Sequence, residues 1–229
     1  MKKLLLSILC LATVAGLSAC FGPLNNEDEN SDVSSDITMD EMSEKGYAIK
    51  LSYTDLEGSD NGIIVYTRKG KKYRWDAVQK DVVYAYWYDR ATEAGYRYYE
   101  WKGENPEPGE WEDYEYYRCQ QTVNNLFSEW VNDGSGLLKN YGFSKTGTTT
   151  ILGLPCDVWS GTYSAEGKTF GASVYGEMVR EGVKGEFCVW NGLTLRTTVD
   201  GKVQTECTAI AVGIDDKAFS KTVDISWIK

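Results

Sequence analysis

The sequence contains no histidine. Without the commonest general base and the commonest metal ligand, Ser-His-Asp triads, Cys-His dyads and histidine-based zinc sites are excluded. No CxxC pair occurs, which argues against redox catalysis and metal knuckles. Positive charge is in short supply, with 24 Lys+Arg against 34 Asp+Glu and a net charge of −10. Nucleic acid is therefore not an expected partner, because neutralising a phosphate backbone needs basic patches. Long apolar runs are also missing after the first twenty residues. What remains is ordinary globular material, 42% hydrophobic and 25% charged over 229 residues, enough for one or two domains.

The one apolar run is at the start. Lys2 and Lys3 precede Leu4 to Gly16, which is too short to span a bilayer and reads as the hydrophobic core of a signal peptide, residues 1–19. Leu17-Ser18-Ala19-Cys20 resembles the lipobox of bacterial lipoproteins. The resemblance implies a diacylglyceryl group on Cys20, cleavage before it and acylation (palmitate-type chains) of the new amino group. Two or three acyl chains give stable anchoring, whereas one is marginal. Loss of Lys2 and Lys3 takes the net charge to −12. Residues 20–45 carry eight acids and one lysine with no sustained apolar period, the pattern of a lipidated, self-repelling tether. Glu27-Asp28-Glu29 also weakly resembles the surface-export signals of Bacteroidetes lipoproteins, so the periplasmic and the surface orientation both stay open.

From residue 46 to 229 strands dominate. Tyr47, Ile49, Leu51 and Tyr53 alternate with smaller or polar residues, a period of two that buries one face. Gly62–Arg68, Tyr73 with Trp75, Val82–Tyr88 and Gly95–Trp101 continue the pattern as a five-strand antiparallel meander. The acidic loop Asp55–Asn61 lacks the glycine and glutamate of a calcium loop. After Pro106 and Pro108 the period changes. Tyr116, Cys119, Val123, Leu126, Phe127, Trp130 and Val131 recur every three or four residues, which predicts one long amphipathic helix over 112–131 lying across the sheet. Strands are expected again at 148–163, 169–175, 185–190, 193–199 and 203–214. A two-residue turn at Asn191-Gly192 would place Trp190 opposite Leu193 and Cys188 opposite Leu195. A three-residue loop, Asp200-Gly201-Lys202, would pair Val199 with Val203, Thr197 with Thr205, Leu195 with Cys207 and Arg196 with Glu206.

Four cysteines, Cys119, Cys156, Cys188 and Cys207, lie in this exported segment and are candidates for two disulfides. Cys188 and Cys207 fall two strands apart, beyond bonding reach. Two connectivities remain open: Cys156–Cys188 with Cys119–Cys207, or Cys119–Cys188 with Cys156–Cys207. The alternative is four free thiols acting as small core residues.

The order of elements, together with Thr149-Thr150-Ile151-Leu152-Gly153-Leu154-Pro155-Cys156-Asp157-Val158-Trp159 and Cys188-Val189-Trp190-Asn191-Gly192-Leu193-Thr194-Leu195-Arg196, resembles the LolA/LolB-like family of outer-membrane lipoprotein carriers and their exported relatives. The likeness spans about residues 46–229. It implies a mainly β fold with one long helix, a curved antiparallel sheet or incomplete barrel with the helix over its concave apolar face. It also implies a cavity for acyl chains and an outer-membrane lipoprotein address. The chain departs from the carriers in its anchoring Cys20 and its single long helix, which shifts the expectation from cargo transfer to binding.

Fourteen aromatics crowd Tyr73 to Tyr117. Such residues can line an apolar pocket or stack on sugars, or simply fill a sheet. The expected ligand-binding stripe is Tyr47, Ile49, Leu51, Tyr73, Trp75, Tyr84 and Tyr86, taking a lipid or acylated ligand. Glu100, Glu104, Glu107, Glu110 and Glu112 read as a solvated loop rather than a glycosidase pair. Gly70-Lys71-Lys72 lacks the rest of a phosphate loop, and Ser173 lacks the glycines of a nucleophile elbow. The expectation is a monomeric, non-enzymatic, membrane-anchored protein with no catalytic residues, metal or cofactor. A surface lipoprotein binding carbohydrate or protein through exposed aromatics, or an envelope structural factor, is the alternative.

Overall fold

The computed structural model describes residues 33–54, 61–130, 137–140, 142–162 and 182–221. The signal peptide, Cys20, the 55–61 loop apart from Asn61, the expected strand 169–175 and Ser173 lie outside these residues.

Alternation of apolar and polar residues resolves into six consecutive antiparallel strands: β1 (Tyr47–Thr54), β2 (Asn61–Lys69), β3 (Lys72–Gln79), β4 (Val82–Asp89), β5 (Ala94–Trp101) and β6 (Glu107–Asp113). Five more follow: β7 (Phe143–Ile151), β8 (Leu154–Thr162), β9 (Lys184–Trp190), β10 (Leu193–Val199) and β11 (Lys202–Val212). All eleven join one sheet in the order β6-β5-β4-β3-β2-β1-β11-β10-β9-β8-β7, so β1 and β11 weld two meanders together and β6 and β7 are its edges. The expected class holds: mainly β, one large antiparallel sheet that is not closed into a barrel.

β6 corrects the sequence reading, which left its residues as a solvated loop and the start of a helix. An edge strand tolerates Pro108 and a run of acids, because its outward backbone groups need no partner and charge there discourages further pairing. The segment 148–163 is likewise two strands rather than one. They are joined by Leu152-Gly153 with φ of 51° and 76°, a turn that a leucine in the left-handed region conceals.

The turns at Asn191-Gly192 and Asp200-Gly201 also have both residues at positive φ. Trp190 does face Leu193. Cys188, however, faces Arg196 and not Leu195, because a bulge intervenes between Thr194 and Arg196. At the second turn the loop has two residues, with Val199 opposite Lys202 instead of Val203. A bulge between Thr197 and Thr198 then restores the expected pairs Thr197 with Thr205 and Arg196 with Glu206.

Among the described residues three α-helices accompany the sheet, α1 (Met39–Lys45), α2 (Tyr116–Trp130) and α3 (Leu137–Asn140), with a 3-10 turn at Asp216–Phe219. Residues 33–45, read from the sequence as the end of the tether, include α1. A reciprocal capping box starts it: Glu41 N–H donates to Thr38 Oγ1 at 3.2 Å and Thr38 N–H to Glu41 Oε2 at 2.9 Å. Met42 is fully buried in the core, and Asn191 Nδ2 donates to Ile37 O at 2.8 Å. The segment therefore closes the end of the sheet where the β2–β3 and β9–β10 turns lie.

α2 packs on β3, β4, β5 and β10. In sheet order β5 and β10 are six spacings apart, about 29 Å if flat, whereas fifteen helical residues span about 22 Å. Curvature of the sheet brings β10 to the helix, which makes the covered face concave. The opposite face is covered in part by residues 214–221. There Arg74, held by Asp76 at 2.7 Å, donates to Ala218 O at 2.8 Å and Ser220 O at 3.3 Å, while Phe219 packs edge-on against Trp87.

Candidate functional site

Strand register sorts the concave face into rows. The first holds Tyr47, Arg68, Tyr73 and Tyr88; the second Ile49, Tyr66, Trp75, Tyr86 and Arg97; the third Leu51, Ile64, Ala77, Tyr84 and Tyr99. All seven residues of the expected stripe therefore face one way, but they do not play one part. Tyr47, Ile49 and Leu51 on β1 are fully buried core, whereas Tyr73, Trp75, Tyr84 and Tyr86 on β3 and β4 are half-buried.

The first three sit in mid-sheet between β2 and β11, in the core that includes Met42 of α1, whereas α2 lies over β3, β4 and β5. Gly95 lets α2 lie directly on β5, since a Cβ there would come within 2.9 Å of Tyr114 O and 3.0 Å of Cys119 Cβ. Cys119 Sγ then donates to Trp87 O at 3.0 Å and Tyr96 O at 3.3 Å. Tyr116 meets Tyr88 edge-on at 5.9 Å, Tyr114 meets Tyr86 at 6.3 Å, and the Tyr88 hydroxyl bonds Asn124. These contacts fall on the first and second rows. The third row keeps its aromatics open: Tyr99 is 41% exposed and lies 5.2 Å from Tyr84. Beside it Trp75 and Tyr86 are 6.2 Å apart, and the Trp75 indole N–H is buried with no hydrogen-bond partner. Such a donor costs about 1–3 kcal/mol and would be relieved by an oxygen placed on it.

The four cysteines correct the disulfide expectation: each is a buried free thiol. Cys119 lies against β4 and β5, and Cys156, Cys188 and Cys207 belong to the same concave-face core. Burial pushes the thiols of Cys119 and Cys156 up to about 11 and that of Cys207 to about 12, so they are protonated small apolar groups at neutral pH.

The glutamates are drawn to cations and hydroxyls. Glu112 pairs with Arg97, and Glu100 accepts from Tyr98 at 3.1 Å and lies 3.6 Å from Lys102. Gly70 and Lys71 form the β2–β3 turn. Sequence reasoning missed Tyr99 and Tyr114, which extend the open stripe. Tyr99 alternates in phase with Arg97 and Trp101 on β5, so period two alone could have found it. It also passed over Arg68 and Arg90, whose charge drew no attention in a strand pattern.

No family model matches the chain, and no curated protein matches it. Among solved structures, the one titled "Crystal structure of MucB in complex with MucA(peri)" is similar over 80% of this chain and 57% of that chain, at 13% identity and a TM-score of 0.35. This chain thus spans a little over half the length of that protein. With a likeness this loose, the reading of function rests on the geometry of the concave face.

Proposed function

We propose that this is a non-enzymatic, membrane-anchored envelope lipoprotein that holds a hydrophobic ligand, a lipid or acylated molecule, on the open part of its concave face. One observation carries the reading: α2 and Tyr114 lie over the first row and the Tyr86 end of the second, and among the described residues Trp75, Tyr84 and Tyr86 stay half-buried beside exposed Tyr99, as one aromatic strip. An acyl chain would bury that strip at roughly 25 cal/mol per Å² of apolar surface. An ester or carboxyl oxygen would suit the unpartnered Trp75 indole N–H. Anchoring through acylated Cys20 would keep such a site beside a membrane.

Trp75→Ala tests the reading. A fully buried Trp→Ala change costs about 3–5 kcal/mol. Half-buried Trp75 should cost less, while affinity for a fluorescent fatty acid falls several-fold. Full loss of stability with no fatty-acid binding in the unaltered protein would overturn the lipid site. Exposure of Tyr99 and Tyr117, 41% and 74%, favours a second reading, stacking on a carbohydrate. Glycan-array binding without fatty-acid binding would select it.

A further inference from the structure

Although acids outnumber bases in this chain, two of its described arginines form no ion pair. Arg74, Arg97, Arg118 and Arg196 each pair with a carboxylate. Among the described residues, Arg68 and Arg90 do not, and they come together at one tyrosine. Arg68 reaches the Tyr73 ring from β2 with its guanidinium carbon 5.0 Å from the centroid, and Arg90, just past β4, does so at 4.9 Å. The two carbons are therefore no more than 9.9 Å apart. Tyr73 itself stacks on Tyr88 at 5.0 Å with ring planes 4° apart, and Arg90 also lies 5.9 Å from the Tyr88 ring.

Cation–π contact explains where the guanidinium groups rest, but it neither neutralises them nor satisfies their N–H donors. Two further polar atoms point the same way. The Arg68 Nε–H is buried with no hydrogen-bond partner, and so is the hydroxyl of Tyr47, a residue 0% exposed. Burial pushes that hydroxyl up to about 12, with Arg68 close enough to pull against the shift, so at neutral pH it is a donor next to a guanidinium. Two cations without a carboxylate, each beside a tyrosine hydroxyl that cannot neutralise it, lack an acceptor with concentrated negative charge. With N–H···O lengths near 2.8 Å, one phosphate bridging two guanidiniums sets their carbons roughly 8 Å apart, inside the ceiling above.

We propose that Arg68 and Arg90, with the Tyr47 hydroxyl, form a phosphate-binding site at the end of the concave face. The observations behind it are charge and unpartnered donors, so it stands independently of the apolar strip. Trp75 follows Tyr73 by two residues on β3, roughly 7 Å along the same face. A phosphate here is thus either a free ion or the headgroup of an amphiphile whose tail continues to Trp75.

Calorimetry with inorganic phosphate, dodecyl phosphate and dodecanol, on the purified protein and on an Arg68→Gln, Arg90→Gln variant, tests the site. Binding of a phosphate-bearing probe should weaken at least tenfold in the variant. If dodecyl phosphate binds far more tightly than inorganic phosphate, the source is a lipid headgroup; equal affinities indicate the free ion; either upholds the site. Equal binding of these probes to both proteins, or none to the unaltered protein, overturns it. Dodecanol bound alike by both proteins preserves the apolar strip when the phosphate site fails, and Arg-dependent phosphate binding without dodecanol binding does the converse. Should the variant not fold, phosphate protection of the unaltered protein decides: phenylglyoxal should modify Arg68 and Arg90 more slowly with phosphate present, and unchanged rates overturn the site.

Discussion

At the scale of the residue, Arg74 and Asp76 are the most constrained charges in the fold. Both are on β3, facing away from the concave side, with side-chain exposures of 7% and 1%. Arg74 bonds Asp76 through two nitrogens, lies 5.2 Å over the Trp111 ring and holds two carbonyls of the C-terminal segment. Removing one member of a buried pair leaves an uncompensated charge, whereas removing both together need not. Asp76→Ala should therefore destabilise the protein by about 3–5 kcal/mol in denaturant unfolding. Arg74→Met with Asp76→Leu should cost clearly less, with the remaining loss reporting the bonds to Ala218 and Ser220. Equal losses for the single and the double variant would show that these carbonyl bonds, and not the ion pair, dominate.

At the scale of the element, the core that α2 and the strands share contains buried thiols and phenols, which makes its packing sensitive to alkali. Cys119 and Cys156 are raised from 9.0 to about 11, Cys207 to about 12, and Tyr47 from 10.0 to about 12, in each case chiefly by burial. Above pH 9 the unfolded chain releases protons that the folded chain still holds, so raising the pH favours unfolding. The contribution is fully present below about pH 9 and is lost as the pH climbs through 11–12. Denaturant midpoints should fall steeply over that interval, and thiol labelling of Cys119 in the native protein should be slow at pH 8. Labelling as fast as in denaturant would place Cys119 outside the α2 interface.

The same elements show what could be read from the sequence. Period-two stripes in β1 to β5 located those strands because one face of each is buried against a single core. Cys119 and Val123, fully buried, confirm the helix phase that placed α2 on the sheet. Three things were hidden. β6 was masked by Pro108 and its acids, features an edge strand tolerates. The bulges at Leu195 on β10 and Gln204 on β11 cannot be inferred from alternation, since each shifts the register by one residue. The split of the expected stripe into core and open strip depends on where α1 and α2 lie, and the place of α2 is fixed by the close approach at Gly95 rather than by the stripe itself.

At the scale of the whole molecule, an eleven-stranded sheet ends on β6 and β7 and bends around a helix that, among the described residues, leaves part of its concave face uncovered. α1 closes one end, residues 214–221 brace the outer face, and Trp75, Tyr84, Tyr86 and Tyr99 of the second and third rows remain half-buried or exposed. Among the described residues, no helix is long and apolar enough to cross a membrane. In our proposal Cys20 supplies the anchor and the aromatic strip the binding. Native mass spectrometry of the full protein extracted from a membrane-containing host tests both directly. We expect a non-covalent adduct of lipid mass that is lost on activation, carried by a chain that begins at an acylated Cys20. A bare, unacylated polypeptide that also fails to bind a fluorescent fatty acid would contradict the account.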